Sequence, residues 1–191
     1  HIRSSYGKAD LLLRLPMYGD LNAFRTIIDI PFVARKSSKK KDDIKKILRL
    51  PVNKNVVFLT FGGIGIDNDA LRVKDDYDDY IFLTTQVLSR QTQKIRRISN
   101  DELKSFGIGF EDLLSASDVV MTKPGYGTVA ECIANRTRIL FCDRSDFIER
   151  DVIVEGINKY LKGIEIPKSD LFSGNWKPYL EKTLSNELPN T

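Results

Sequence analysis

Histidine is nearly absent from this chain. The single one, His1, stands at the terminus, so the body of the sequence lacks the side chain most often used as a general base or metal ligand. Cysteine is almost as scarce. Cys132 and Cys142 are too few for a disulfide framework, and they lead us to expect a cytoplasmic, reducing setting with both thiols buried and inert. No apolar run approaches the ~20 residues that span a bilayer. The opening residues, His-Ile-Arg-Ser-Ser-Tyr-Gly-Lys, carry no apolar signal core, and the missing initiator Met leads us to expect a piece of a longer chain.

What is present fits a folded domain. With 191 residues, 41% hydrophobic and 29% charged, the chain can bury one good core, with a fragment of a second domain attached. The net charge of +4 owes much to Lys36, Lys39, Lys40 and Lys41. No aromatics are interleaved with these lysines, and Asp42 and Asp43 follow them. That pattern reads as a solvated linker and helix start rather than a nucleic-acid surface, and no nucleic-acid partner is expected. A basic rim facing an acidic ligand would fit the same residues, as would peripheral contact with an anionic membrane through a domain outside this chain.

Residues 11–15 form a short buried-type strand cut off by Pro16, and 27–33, interrupted by Pro31, read as another extended piece. We take residues 1–36 as the end of a preceding domain and its linker, and 37–191 as the main unit. Ser38 or Asp42 can cap a helix that buries Ile44, Ile47 and Leu48 and stops at Pro51. From there strands alternate with helices. Strands are expected at 55–61, 80–85, 95–98, 118–121, 138–142 and 164–166, a short turn at 101–103, and helices at 110–114, 128–135, 149–161 and 178–184. The crossover at 86–94 is short for a helix. This rhythm predicts an α/β fold with a doubly wound, Rossmann-like parallel sheet, on which ligands collect at the carboxyl ends of the strands.

Two turns at those ends carry glycine. The first is Phe61-Gly62-Gly63-Ile64-Gly65, which is not G-x-G-x-x-G because Asn68 replaces the third glycine. The second is the stretch the chain is organised around, Met-Thr-Lys-Pro-Gly-Tyr-Gly-Thr-Val-Ala-Glu at 121–131. A buried strand enters a turn holding Gly125 and Gly127, and a helical pattern begins at about Thr128. The first N–H groups of such a helix are unpaired and carry the positive end of its dipole, and Lys123 adds a mobile charge beside them. Glu131 has capping-box spacing from Thr128, and it also stands where a carboxylate could accept both hydroxyls of a ribose.

Taken together, Leu114-x-x-Ser117-Asp118-Val119-Val120, Lys123-x-Gly125-x-x-Thr128-x-x-Glu131 and the strand ending before Asp143 resemble the donor-binding half of glycosyltransferases built from two Rossmann-like domains, the GT-B architecture. The likeness spans about residues 50–165 and is greatest to the C-terminal domain of family 28. It implies that Gly62, Gly63 and Ile64 line the diphosphate of a nucleoside diphosphate sugar, with UDP as the leading nucleotide. Gly125, Gly127 and Thr128 would supply helix-terminal N–H groups, Lys123 a charge, and Glu131 the ribose contact. Phe147, Glu149 and Arg150 occupy the place where relatives touch the donor sugar, but a glutamine pair found in relatives is missing, which leaves the sugar open. Tyr126 could stack on a base or cover the core.

The implied reaction is transfer of a sugar to an acceptor hydroxyl, with no cofactor and no metal. Its base and acceptor site would lie in the other domain, so this chain alone should bind donor and transfer nothing. The stretch 123–131 also resembles the transferase-like portion of some plant sugar kinases, which makes a catalytically idle sugar-nucleotide module of a larger protein the alternative. A nucleotide-sugar 2-epimerase shares the architecture, but this segment shows no added histidines for its acid/base work.

Overall fold

In the computed structural model of the protein, the described residues are 2–62, 71–87, 94–142 and 147–188. The N-terminal part holds α1 (Ile2–Tyr6) and a two-stranded parallel pair, β1 (Leu12–Arg14) with β2 (Ile27–Asp29), tied by Arg14 to Asp29. The main unit follows as α2 (Lys41–Ile47), β3 (Asn55–Thr60), β4 (Tyr80–Thr84), β5 (Ile95–Arg97), α3 (Asn100–Phe106), α4 (Phe110–Ala116), β6 (Val119–Thr122), α5 (Tyr126–Ala134), β7 (Arg138–Cys142), α6 (Arg150–Leu161), β8 (Ile164–Ile166), α7 (Lys168–Ser173) and α8 (Lys177–Ser185).

The six-stranded sheet has the order β5-β4-β3-β6-β7-β8, and every pairing is parallel. Its central strands are buried on both faces, so they read as continuous apolar runs. Successive side chains still serve opposite cores. Val56, Phe58 and Val120 pack with α2, α4, α5 and α6, whereas Val57, Leu59, Val119 and Met121 face Tyr77, Phe82, Trp176 and Leu180. Each fully buried side chain of this size contributes roughly 1.5–3 kcal/mol.

The second core is locked by one phenol. The Tyr77 hydroxyl donates to the Gly174 carbonyl at 2.8 Å and accepts from the Trp176 and Lys177 N–H groups at 2.7 and 2.9 Å. Burial raises the pKa of this hydroxyl, and the two N–H donors offset part of that rise.

The strands and the parallel topology agree with the sequence reading. The differences lie in short helices and caps. Residues 101–103 belong to α3, which opens on a full capping box between Ser99 and Glu102. The helix α7 comes in addition, and α2 opens at Lys40, with no side-chain cap from Ser38 or Asp42. The crossover at 86–94 lies largely outside the described residues. No helix among the described residues is long and apolar enough to cross a membrane.

The N-terminal part rests on α6. Met17, at φ 59, packs its side chain onto Gly156, leaving no room there for a Cβ. Phe32 meets Tyr160 edge to face, with ring centroids 5.2 Å apart. An open cavity of about 320 Å³ lies between Met17, Tyr18, Val152, Glu155 and Lys159.

Candidate functional site

β3, β6 and β7 lie side by side in parallel register, with Thr60 beside Thr122 and Thr122 beside Phe141. Their carboxyl ends therefore share one edge of the sheet. The Thr122 hydroxyl donates to the Thr60 carbonyl at 2.6 Å, binding the β3 and β6 exits together. Just beyond them, Gly62 turns at φ +64, and the Lys123 Nζ lies 3.7 Å from where a Cβ on Gly62 would stand. A side chain at Gly62 would be strained by its backbone, with the lysine in ordinary contact beside it.

α5 starts two residues earlier than the sequence pattern indicates. Gly125 is its N-cap and Thr128 lies in its first turn, so Thr128 and Glu131 form no capping box. A Cβ at Gly125 or Gly127 would meet nothing within 4 Å, so the first turn is open to approach. At 100° per residue, Gly127, Thr128, Glu131 and Asn135 fall on one face of α5, while Val129, Cys132 and Ile133 are buried. Glu131 stands about 7.5 Å along the helix axis from Tyr126.

That polar face is covered by a strap that the sequence reading takes as a solvated linker. Arg35 donates from Nε to Glu131 Oε1 at 2.6 Å, and its guanidinium lies 3.6 Å from Glu111 and 5.7 Å over the Phe110 ring. Asn135 accepts from the Ser37 N–H at 2.8 Å and donates to the Arg35 carbonyl at 2.9 Å. Ser37 and Lys39 donate to the two oxygens of Asp112 at 2.5 and 2.7 Å, and Lys41 and Lys45 bind Asp118 at 2.7 and 3.2 Å. Asp112 is only 2% exposed. Burial raises its pKa, but hydrogen bonds from Lys39, Ser37 and the Gly109 N–H outweigh that and leave it below the usual value. Asp118 is shifted the same way, its burial opposed by Lys41 and the Val56 N–H.

Tyr126 turns towards the strap and the core, 6.3 Å from Phe32 between ring centroids. Its hydroxyl is buried beside the Val33 backbone without a well-aligned hydrogen bond. Burial raises its pKa more than the Val33 N–H lowers it. Of the two roles open to this residue in the sequence, covering the core is the one its packing serves. Both cysteines are buried, and burial, with Glu131 adjacent, pushes the Cys132 thiol far up, so it does not ionise.

At the β7 exit, Phe147 packs against the first core while Ile148 is 99% exposed. Glu149 is the N-cap of α6, and Arg150 reaches Asp151 at 2.9 Å and Glu165 at 3.9 Å. Gly63, Ile64 and residues 143–146 lie outside the described residues. Among the described residues no three His, Cys, Asp or Glu side chains are grouped as metal ligands would be.

Gly62, Lys123, Gly125 and Gly127 thus meet at two adjoining strand exits, with Glu131 one turn deeper. Arg35 is the partner that sequence reasoning missed. It lies ninety-six residues from Glu131, and no local pattern marks the pairing.

The same arrangement of sheet and helices is found in solved glycosyltransferases. The glycotransferase of kitacinnamycin superposes with a TM-score of 0.61 at 12% identity, over 92% of this chain and 46% of its own. CalG4, the calicheamicin glycosyltransferase, superposes with a TM-score of 0.55 at 12% identity, over 86% of this chain and 40% of its own. The chain has the fold of half a GT-B glycosyltransferase. In sequence it is 30% identical over 186 residues, 96% of its length, to the L-arabinokinase of Arabidopsis thaliana, and it spans 17% of that protein. No family model matches the chain, so the narrower likeness to family 28 rests on the motifs at 114–120 and 123–131 and on the strand ending before Asp143.

Proposed function

We propose that residues 37–191 are the C-terminal, donor-binding half of a GT-B glycosyltransferase, that 1–36 close the preceding domain, and that the ligand is a nucleoside diphosphate sugar, UDP-linked in the first instance. The observation that carries this is the meeting of Gly62, Lys123 and the open first turn of α5 at neighbouring strand exits. Oriented N–H groups and an ammonium suit a diphosphate. Glu131, on the same face of α5 as Gly127 and Thr128, is the carboxylate we assign to the ribose diol once Arg35 releases it. The family resemblance supports assigning Phe147, Glu149 and Arg150 to the donor sugar and Gly63 and Ile64 to the diphosphate.

In the reaction, an acceptor oxygen attacks the anomeric carbon. The bond from that carbon to the diphosphate oxygen breaks, and the departing negative charge is met by the α5 N–H groups and Lys123. The acceptor proton passes to a base outside this chain. Calorimetric titration of UDP, GDP, ADP and their sugars into the 191-residue chain tests the donor site. Heat with at least one diphosphate is expected, and silence across the panel at millimolar ligand sinks the reading.

A second reading is favoured by the 30% identity to L-arabinokinase over 96% of the chain. In it the same site binds a sugar nucleotide without transfer, inside a larger sugar-kinase protein. Assay of the whole protein for release of free nucleoside diphosphate from a donor separates the two, because only a transferase turns the donor over.

A further inference from the structure

Arg35 and Glu131 raise a question the donor reading leaves open, since the carboxylate assigned to the ribose already has a partner. Glu131 accepts from Arg35 Nε at 2.6 Å, and its side chain is only 9% exposed. A carboxylate so covered has no open edge for two hydroxyls. Arg35 itself is 61% exposed, so it can swing into solvent without leaving a cavity. Its backbone is held separately, by Asn135 through the Arg35 carbonyl and the Ser37 N–H, and by Asp112 through Ser37 and Lys39. The strap is therefore anchored at, and just after, a single movable side chain.

We propose that Arg35 is a built-in latch on the donor site: it competes with the nucleotide's ribose for Glu131, so nucleotide binds only as Arg35 lets go. This rests on the donor-site reading. A latch closed for about nine-tenths of the time lowers apparent affinity about tenfold, because only the open fraction binds. Glu111, 3.6 Å from the Arg35 guanidinium, offers a second anion to which the released side chain can turn. Whatever pulls on the strap from the preceding domain would then set donor affinity without touching the nucleotide.

The test compares wild type, Arg35→Ala and Arg35→Lys by calorimetric titration with UDP, GDP and ADP, with thermal melts to confirm folding. The latch requires Arg35→Ala to bind about tenfold tighter than wild type, with Arg35→Lys between them. Equal or weaker binding by Arg35→Ala overturns it, weaker binding making Arg35 a ligand of the nucleotide. Should neither wild type nor Arg35→Ala bind any of the three, the donor reading falls and takes the latch with it. An arm that does not depend on a variant folding uses wild type alone. In the NMR spectrum the Arg35 Nε–H signal should lose its ion-paired position on saturation with nucleotide, and an unchanged signal counts against release.

Discussion

The ammonium of Lys123 lies 3.7 Å from the point a Cβ on Gly62 would occupy, although the two residues leave different strands. Their closeness follows from the parallel pairing of β3 with β6, which brings both exits to one level. Gly62→Ala should cost stability through the backbone alone. Its φ of +64 makes an alanine cost about 1–2 kcal/mol, read by urea unfolding, while the methyl sits in ordinary contact with Lys123 and leaves it in place. Lys123→Met should weaken UDP binding about tenfold and flatten its salt dependence, since one screened charge is lost.

Glu131→Ala should reduce nucleotide affinity by about 1–3 kcal/mol, as for a lost charge-assisted hydrogen bond at a covered site. The melting temperature should move little, because Glu131 caps no helix and its ion-pair partner Arg35 is exposed. Unfolding of the variant with affinity intact would make the carboxylate structural.

Asp112 and Asp118 give the fold an acid limit. Both hold their protons less tightly in the folded chain than at the ordinary value of 3.8. Their contribution is therefore complete above that value and is lost as pH falls through the lower folded values. Stability measured by urea between pH 7 and pH 2 should fall below about pH 4, and Asp112→Asn should shrink that dependence. Asp112→Ala, which strands Ser37, Lys39 and the Gly109 N–H, should cost about 2–4 kcal/mol at neutral pH.

Tyr77→Phe removes an oxygen that serves the Gly174 carbonyl and the Trp176 and Lys177 N–H groups. It should destabilise the protein by about 1–3 kcal/mol in urea melts and leave nucleotide affinity unchanged.

The parts of this molecule legible in its sequence are those with a local signature. Buried parallel strands announce themselves as apolar runs, and 138–142 and 164–166 match β7 and β8 to the residue. Gly125 and Gly127 mark the turn into α5, yet the helix begins two residues before Thr128, because a glycine N-cap leaves no side-chain signal. At α3 the sequence does carry a local signal, for Ser99 and Glu102 have capping-box spacing. What could not be read was the strap. Ser37 meets Asn135 and Lys39 meets Asp112 across 98 and 73 residues. Lys39 and Lys41 look solvated in the sequence only because the acids that pair with them come from α4 and the turn before β6.

The sheet order has a consequence for synthesis on the ribosome. β3 is made early but is flanked on one side by β6, so the Gly62 turn emerges with its neighbour still untranslated. Until Thr122 arrives to clasp Thr60, that side of β3 is a bare edge. The nascent chain thus passes through an interval in which a central strand of its sheet is zipped on one side only.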